Sequence, residues 1–115
     1  MARSHKPVVW SLFAGGGTFA AFVTPVMIFV TGLAVPLGLL SPETLAYDQM
    51  LAWVQNPAGK GLIFMAVFLL LWHAAHRLRI TVHDLGIRCV ALVSVVCYGA
   101  AMSATVVAGV FLFGI

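Results

Sequence analysis

Three histidines, His73, His76 and His83, fall within one short stretch at separations of three and seven residues. At helical pitch those separations set them along one face. Imidazole is the side chain whose charge changes nearest neutral pH, and it also ligates haem iron. Residue type alone therefore offers a haem ligand, a proton relay or a hydrogen-bond partner to a quinone oxygen. An interfacial histidine bonded to a headgroup or a backbone carbonyl is the plain alternative for each, most of all for His83 beside Asp84. A pair of haem ligands on facing helices would need a histidine in another apolar segment, and there is none. Trp10 and Phe13 form a second group on one helix face. Indole supplies an N–H donor and a flat face, and phenyl supplies a stacking surface. The same pair is what an aromatic belt anchor looks like at a membrane interface. Gly15-Gly16-Gly17 follows at once, and glycines let a backbone or a flat ligand come close. Cys89 and Cys97, eight apart, match neither a metal motif nor a redox pair and read as packing residues. There is no glycine-rich phosphate loop, no paired carboxylate set and no nucleophile–base arrangement, so hydrolytic chemistry is excluded.

The elements that hold these groups are set by where charge is missing. The 115-residue chain is 63% hydrophobic and 8% charged, against about 25% charged in ordinary soluble domains. Folded in water it would expose apolar surface with nothing polar to cover it. A soluble enzyme, a disordered tail and a nucleic-acid module are excluded. The length suits one domain, residues 1–115. No Asp, Glu, Lys or Arg occurs in residues 7–42, 61–76 or 89–115. A bilayer core of about 30 Å takes about 20 helical residues. The first and third runs are long enough, and the second becomes so if Arg77 and Arg79 snorkel. The prediction is an all-α membrane protein with three transmembrane helices at about 10–35, 61–80 and 89–113. Barrel strands would alternate with period two, and no such pattern occurs. The basic start, Arg3, His5 and Lys6, followed by Ala20-Ala21, imitates a signal peptide. The apolar run far exceeds the usual h-region, so the first helix is expected to be retained.

Between the first two spans, Ser41 reads as an N-cap, Pro42 as the first helical residue and Glu43 as a first-turn acid. Tyr47, Met50, Leu51 and Val54 recur at helical spacing, which predicts a short interfacial helix over about 42–55, stopped by Asn56-Pro57. Pro25 is expected to kink the first span, and Ala101, Thr105 and Gly109 at spacing four form a helix-packing ladder. Lys/Arg asymmetry places the N-terminus on the cytoplasmic side and the C-terminus in the periplasm. Arg3 and Lys6 precede the first span, and Arg77, Arg79 and Arg88 are assigned to the connection between the second and third.

Several segments, in order, resemble the D-type membrane anchor of bacterial fumarate reductase. They are residues 7–17 (PVVWSLFAGGG), 25–28 (PVMI), 36–39 (PLGL), 45–47 (LAY), Leu71-Trp72, His76-Arg77 and His83-Asp84-Leu85. The set covers nearly the whole chain. The resemblance implies a heterotetramer in the bacterial inner membrane: a flavoprotein, an iron–sulfur protein and two small anchors, C and D. FAD and iron–sulfur clusters would sit only in the partner subunits, no haem is expected, and no nucleic acid is involved. This chain would be non-catalytic by itself. It would contribute Trp10, Phe13, Ala14 and His76 to a menaquinol site that feeds fumarate reduction in anaerobic respiration, with His73, Arg77 and Arg79 as candidates for its rim. No metal site is implied. Two positions depart from the family's pattern: Ala14 stands where glycine is expected, and His73 where no histidine is. A purely structural anchor without quinone contacts and a small transporter or channel component are the competing readings. The latter would want an intramembrane charge on its path, and the helix interiors carry none.

Overall fold

The computed structural model describes residues 5–115. Arg3, part of the basic N-terminal segment, lies outside the described residues. Helix α1 spans Lys6–Phe29 and ends in one π-helical turn, Val30–Ala34. A 3-10 turn, Pro42–Leu45, leads into α2, Tyr47–Gln55. Then come α3, Pro57–Asp84, and α4, Val90–Gly114. Among the described residues there is no strand. Three stretches are long and apolar enough to cross a membrane: Lys6–Ala34, Pro57–Asp84 and Val90–Gly114. The three-span, all-α architecture predicted above is therefore the one found.

The boundaries move for local reasons. The first span starts at Lys6 rather than residue 10, because Pro7 fits the first helical turn, where its missing N–H costs nothing. The helix runs on through Pro25. It ends where Pro36 has no N–H to continue the ladder. Val35 N–H bonds the Val30 carbonyl at 3.2 Å, the π-type step. Gly38, at φ +73°, then takes the left-handed conformation that glycine adopts freely.

The interfacial helix expected over 42–55 is two pieces. Ser41 makes no side-chain cap, and Ala46 in extended geometry separates the 3-10 turn from α2. Asn56 ends α2 and begins α3 at once. Its Oδ1 accepts from the Ala58 N–H at 2.9 Å, with Pro57 at the first helical position. Gly59 makes this sharp junction possible, since a Cβ there would overlap the Trp53 carbonyl oxygen. Helix α3 is longer than expected at both ends, about 42 Å at 1.5 Å per residue. Arg77 and Arg79 ride on its last turns rather than in a connection, and of the three arginines only Arg88 lies between α3 and α4. Gly86, at φ +91°, closes α3.

Helix α3 is the middle of the bundle, with α1 packed on one side and α4 on the other. Its packing against α4 buries a stripe of small residues. Cys97, Ala101 and Thr105 are buried, and Ala75 of α3 packs with Cys97 and Ala101 together with Leu71, Val93 and Tyr98. The packing ladder is thus real, and Cys97 joins it. Cys89 does not: it is exposed at the start of α4. Most large apolar side chains remain uncovered, including Phe22, Leu92, Val95, Val110 and Phe111. This surface suits lipid or other membrane proteins.

Candidate functional site

The first turns of α1, the second half of α3 and one residue of α4 line a cavity of about 880 Å³. Its wall consists of His5, Lys6, Val9, Trp10, Leu12 and Phe13 from α1 and the residue before it, Trp72, His76 and Arg79 from α3, and Tyr98 from α4. The volume lies within the range of about 300–1,000 Å³ usual for small-molecule sites, as does a mostly apolar lining with a few placed polar groups.

These side chains form a connected aromatic array. Phe13 stacks on His73, with ring centroids 4.5 Å apart and planes 10° from parallel. The same phenyl meets His76 at 4.8 Å, tilted by 55°. His76 Nδ1 and the Tyr98 hydroxyl are hydrogen-bonded at 2.7 Å. Tyr98 also stacks on Trp72 at 5.7 Å, and the Arg79 guanidinium lies 5.9 Å above its ring. Spacing by three and four explains why α3 can do this: Trp72, His76 and Arg79 repeat at helical pitch on the face between α1 and α4.

The hydrogen bonding of the array has one coupled and one unmet part. In the His76–Tyr98 pair, Nδ1 can accept the phenolic proton, which leaves an Nε2–H donor. Alternatively Nδ1–H donates to the phenol oxygen, which leaves Nε2 as an acceptor and the phenol O–H free. The pair can therefore present either polarity. Trp72 Nε1 is buried and has no hydrogen-bond partner among the described residues. A buried donor without a partner is costly.

The glycine triplet has a specific use. A Cβ on Gly16 would stand 2.5 Å from the Leu69 carbonyl oxygen and 2.8 Å from His73 Cβ. One on Gly17 would stand 2.9 Å from His73 Cε1. The absence of side chains lets α3 come against α1 just below Phe13, where His73 Nδ1 donates to the Phe13 carbonyl oxygen at 2.9 Å.

Of the residues singled out in the sequence, Trp10, Phe13, His76 and Arg79 share the cavity wall. Ala14, His73 and Arg77 are not among its lining residues. His73 lies behind Phe13, and Arg77 is exposed. His83 lines a smaller cavity of about 370 Å³, which shares His76 and Arg79 with the first. Trp72 and Tyr98 were not expected. Trp72 carries a weak signal, four residues before His76. Tyr98 carries only its type, a lone phenol in an uncharged run.

A family model for the D subunit of fumarate reductase matches residues 1–113. The chain is 41% identical over 111 residues to the fumarate reductase D subunit of Aliivibrio fischeri (strain MJ11), covering 96% of this chain and 92% of that one. It is 39% identical to the D subunit of Aliivibrio salmonicida (strain LFI1238), with the same two coverages. It is 38% identical to that of Vibrio vulnificus (strain YJ016), covering 96% of this chain and 89% of the relative.

Proposed function

The chain belongs to the family of fumarate reductase D subunits, and from that premise we propose that its aromatic cavity forms one wall of a menaquinol-oxidising site. The chain is a multi-pass membrane anchor within an enzyme complex. In this reading fumarate is reduced on a flavoprotein, an iron–sulfur protein relays the electrons, and a second membrane anchor, the C subunit, completes the site. The chain has no catalytic turnover of its own. The cavity end faces the cytoplasm, as the Lys/Arg bias of Lys6, Arg77, Arg79 and Arg88 argues.

The observation that carries the reading is the array of flat walls and donors around a cavity of ligand size. A quinone is a planar ring edged by two oxygens, so it needs stacking faces and groups that can donate to a carbonyl or accept from a hydroxyl. Phe13 and Trp10 provide faces, and the Trp10 indole provides an N–H donor. The hydrogen-bonded His76–Tyr98 pair among the lining residues is the clearest sign that the residues present fit such a group. Menaquinol, when bound, supplies two electrons and two protons. The His76–Tyr98 pair suits taking up a proton, since a shift of tautomer turns Nε2 from acceptor to donor. Arg79 places a positive charge beside the pair, which favours negative charge on a nearby oxygen. Ala14 follows Phe13 on α1 and narrows the helix surface by one methyl relative to glycine.

The test uses the purified complex. Trp10→Ala and His76→Ala should each lower menaquinol-dependent fumarate reduction about tenfold or more, equivalent to about 1.4 kcal/mol of barrier. Reduction driven by reduced viologen, which bypasses the quinol, should stay within about twofold of wild type in the same preparations. Wild-type quinol turnover in both variants would make the chain a purely structural anchor.

A further inference from the structure

We propose that His73 is a positioning residue that fixes the Phe13 wall of the cavity, a role resting on the quinol-site reading above. His73 is absent from the cavity lining, yet it makes the hydrogen bond that ties α1 to α3 at this level. Its Nδ1–H donates to the Phe13 carbonyl oxygen at 2.9 Å. A helical carbonyl has a second lone pair beyond its intrahelical bond, so this contact leaves the α1 ladder intact. The same imidazole lies flat against the Phe13 ring at 4.5 Å. One side chain thus holds both the backbone and the ring of one residue.

The surroundings of His73 are shaped to it. Gly16 and Gly17 form the floor against which it packs, and a Cβ on either would stand within 3 Å of its atoms. The same Phe13 ring also meets His76, tilted by 55° at 4.8 Å. Phe13 is therefore in contact with two imidazoles, one that lines the cavity and one that does not. Donation from Nδ1 also fixes the ring of His73, which keeps the phenyl face at one height on the cavity wall. Loss of that hold lets the first turns of α1 shift relative to α3, and a flat ligand loses a preformed surface rather than a reacting group. The consequence is weaker ligand binding at unchanged turnover.

The experiment compares His73→Leu with His73→Asn in the intact complex. The Asn Nδ2–H falls where Nδ1–H lies in histidine, so it can still donate to the Phe13 carbonyl. Leucine fills space without a donor or a flat face. Quinone binding is read as quenching of tryptophan fluorescence by 2-methyl-1,4-naphthoquinone, and amide hydrogen exchange over residues 10–17 is read without any ligand. His73→Leu should raise the quinone Kd and the quinol KM about tenfold, keep kcat within about twofold, and speed exchange over residues 10–17. His73→Asn should stay within about threefold of wild type on each. Unchanged Kd and exchange in His73→Leu would overturn the proposal, as would an Asn variant as impaired as Leu. If the naphthoquinone fails to quench even wild type while exchange responds as described, the positioning role stands and the quinol-site reading is what fails.

Discussion

Tyr98 is the residue that changes the chemistry of the site, because it gives His76 a partner 2.7 Å away. A lone imidazole in an apolar wall can hold a proton, whereas a hydrogen-bonded imidazole–phenol pair can also exchange donor and acceptor roles. Tyr98→Phe keeps the stacking on Trp72 and removes only the hydroxyl. A typical hydrogen bond is worth about 1 kcal/mol, so quinol turnover should fall about fivefold while viologen-driven turnover holds. In a His76→Ala background the same change should add nothing, since the two groups act as a unit. Additive losses in the double variant would show that Tyr98 serves the site independently of His76. The contrast between residues that were legible in the sequence and those that were not follows the same logic. Trp10, Phe13 and His76 stand out because each is chemically distinctive and helical spacing alone groups the aromatics on one face. Tyr98 has its role only because α4 docks beside α3 at one height, and that height is a tertiary relation which no local spacing encodes. His73 has the reverse problem. Its type and spacing point into the membrane interior, and only the close approach at Gly16 and Gly17 turns it toward α1.

At the scale of elements, the spans follow from the bilayer and their ends from backbone chemistry. Charge-free runs locate the three helices because an unpaired charge in hydrocarbon is costly. Hydropathy says nothing about where a helix stops in the interface, so α3 overruns its apolar run and carries Arg77 and Arg79 on its last turns. The first span stops before Pro36, with Gly38 turning the chain after it, and α3 stops at Gly86; the two glycines are the positions of positive φ. What positions the site is the approach of α1 to α3, and Gly16 is its contact point. Gly16→Ala puts a Cβ against the Leu69 carbonyl oxygen, a backbone atom that cannot rotate away. The helices must separate, at a cost of about 1–3 kcal/mol for overpacking. Gly15→Ala meets nothing within 4 Å in this chain and replaces glycine with the best helix former. The thermal midpoint of the detergent-solubilised complex should fall by several degrees in Gly16→Ala, and that of Gly15→Ala should hold or rise. Equal losses in the two would mean that the close α1–α3 contact is not what Gly16 serves.

At the scale of the whole molecule, the site depends on which end of the bundle faces the cytoplasm. The start of α1, the end of α3 and the start of α4 share one end, which carries Lys6, Arg77, Arg79 and Arg88. The other end carries Glu43 and Asp48 with Lys60. That asymmetry predicts the cavity end inside. Under the quinol-site reading proposed above, a cavity at the cytoplasmic end lies on the side where the fumarate-reducing partner would dock. Two cysteines native to the chain make the test simple. Cys89 is exposed at the cavity end, and Cys97 is buried in the α3–α4 core. In intact cells a membrane-impermeant maleimide should leave wild type unlabelled and should label Asp48→Cys, which places a thiol on the exposed opposite end. Cys89 should react only in inverted vesicles or after detergent. If Cys89 reacts in intact cells and Asp48→Cys does not, the bundle is inverted. The cavity would then open to the periplasm, a membrane thickness from the reductase proteins, and the quinol-site reading would fall even though every contact within the bundle were right.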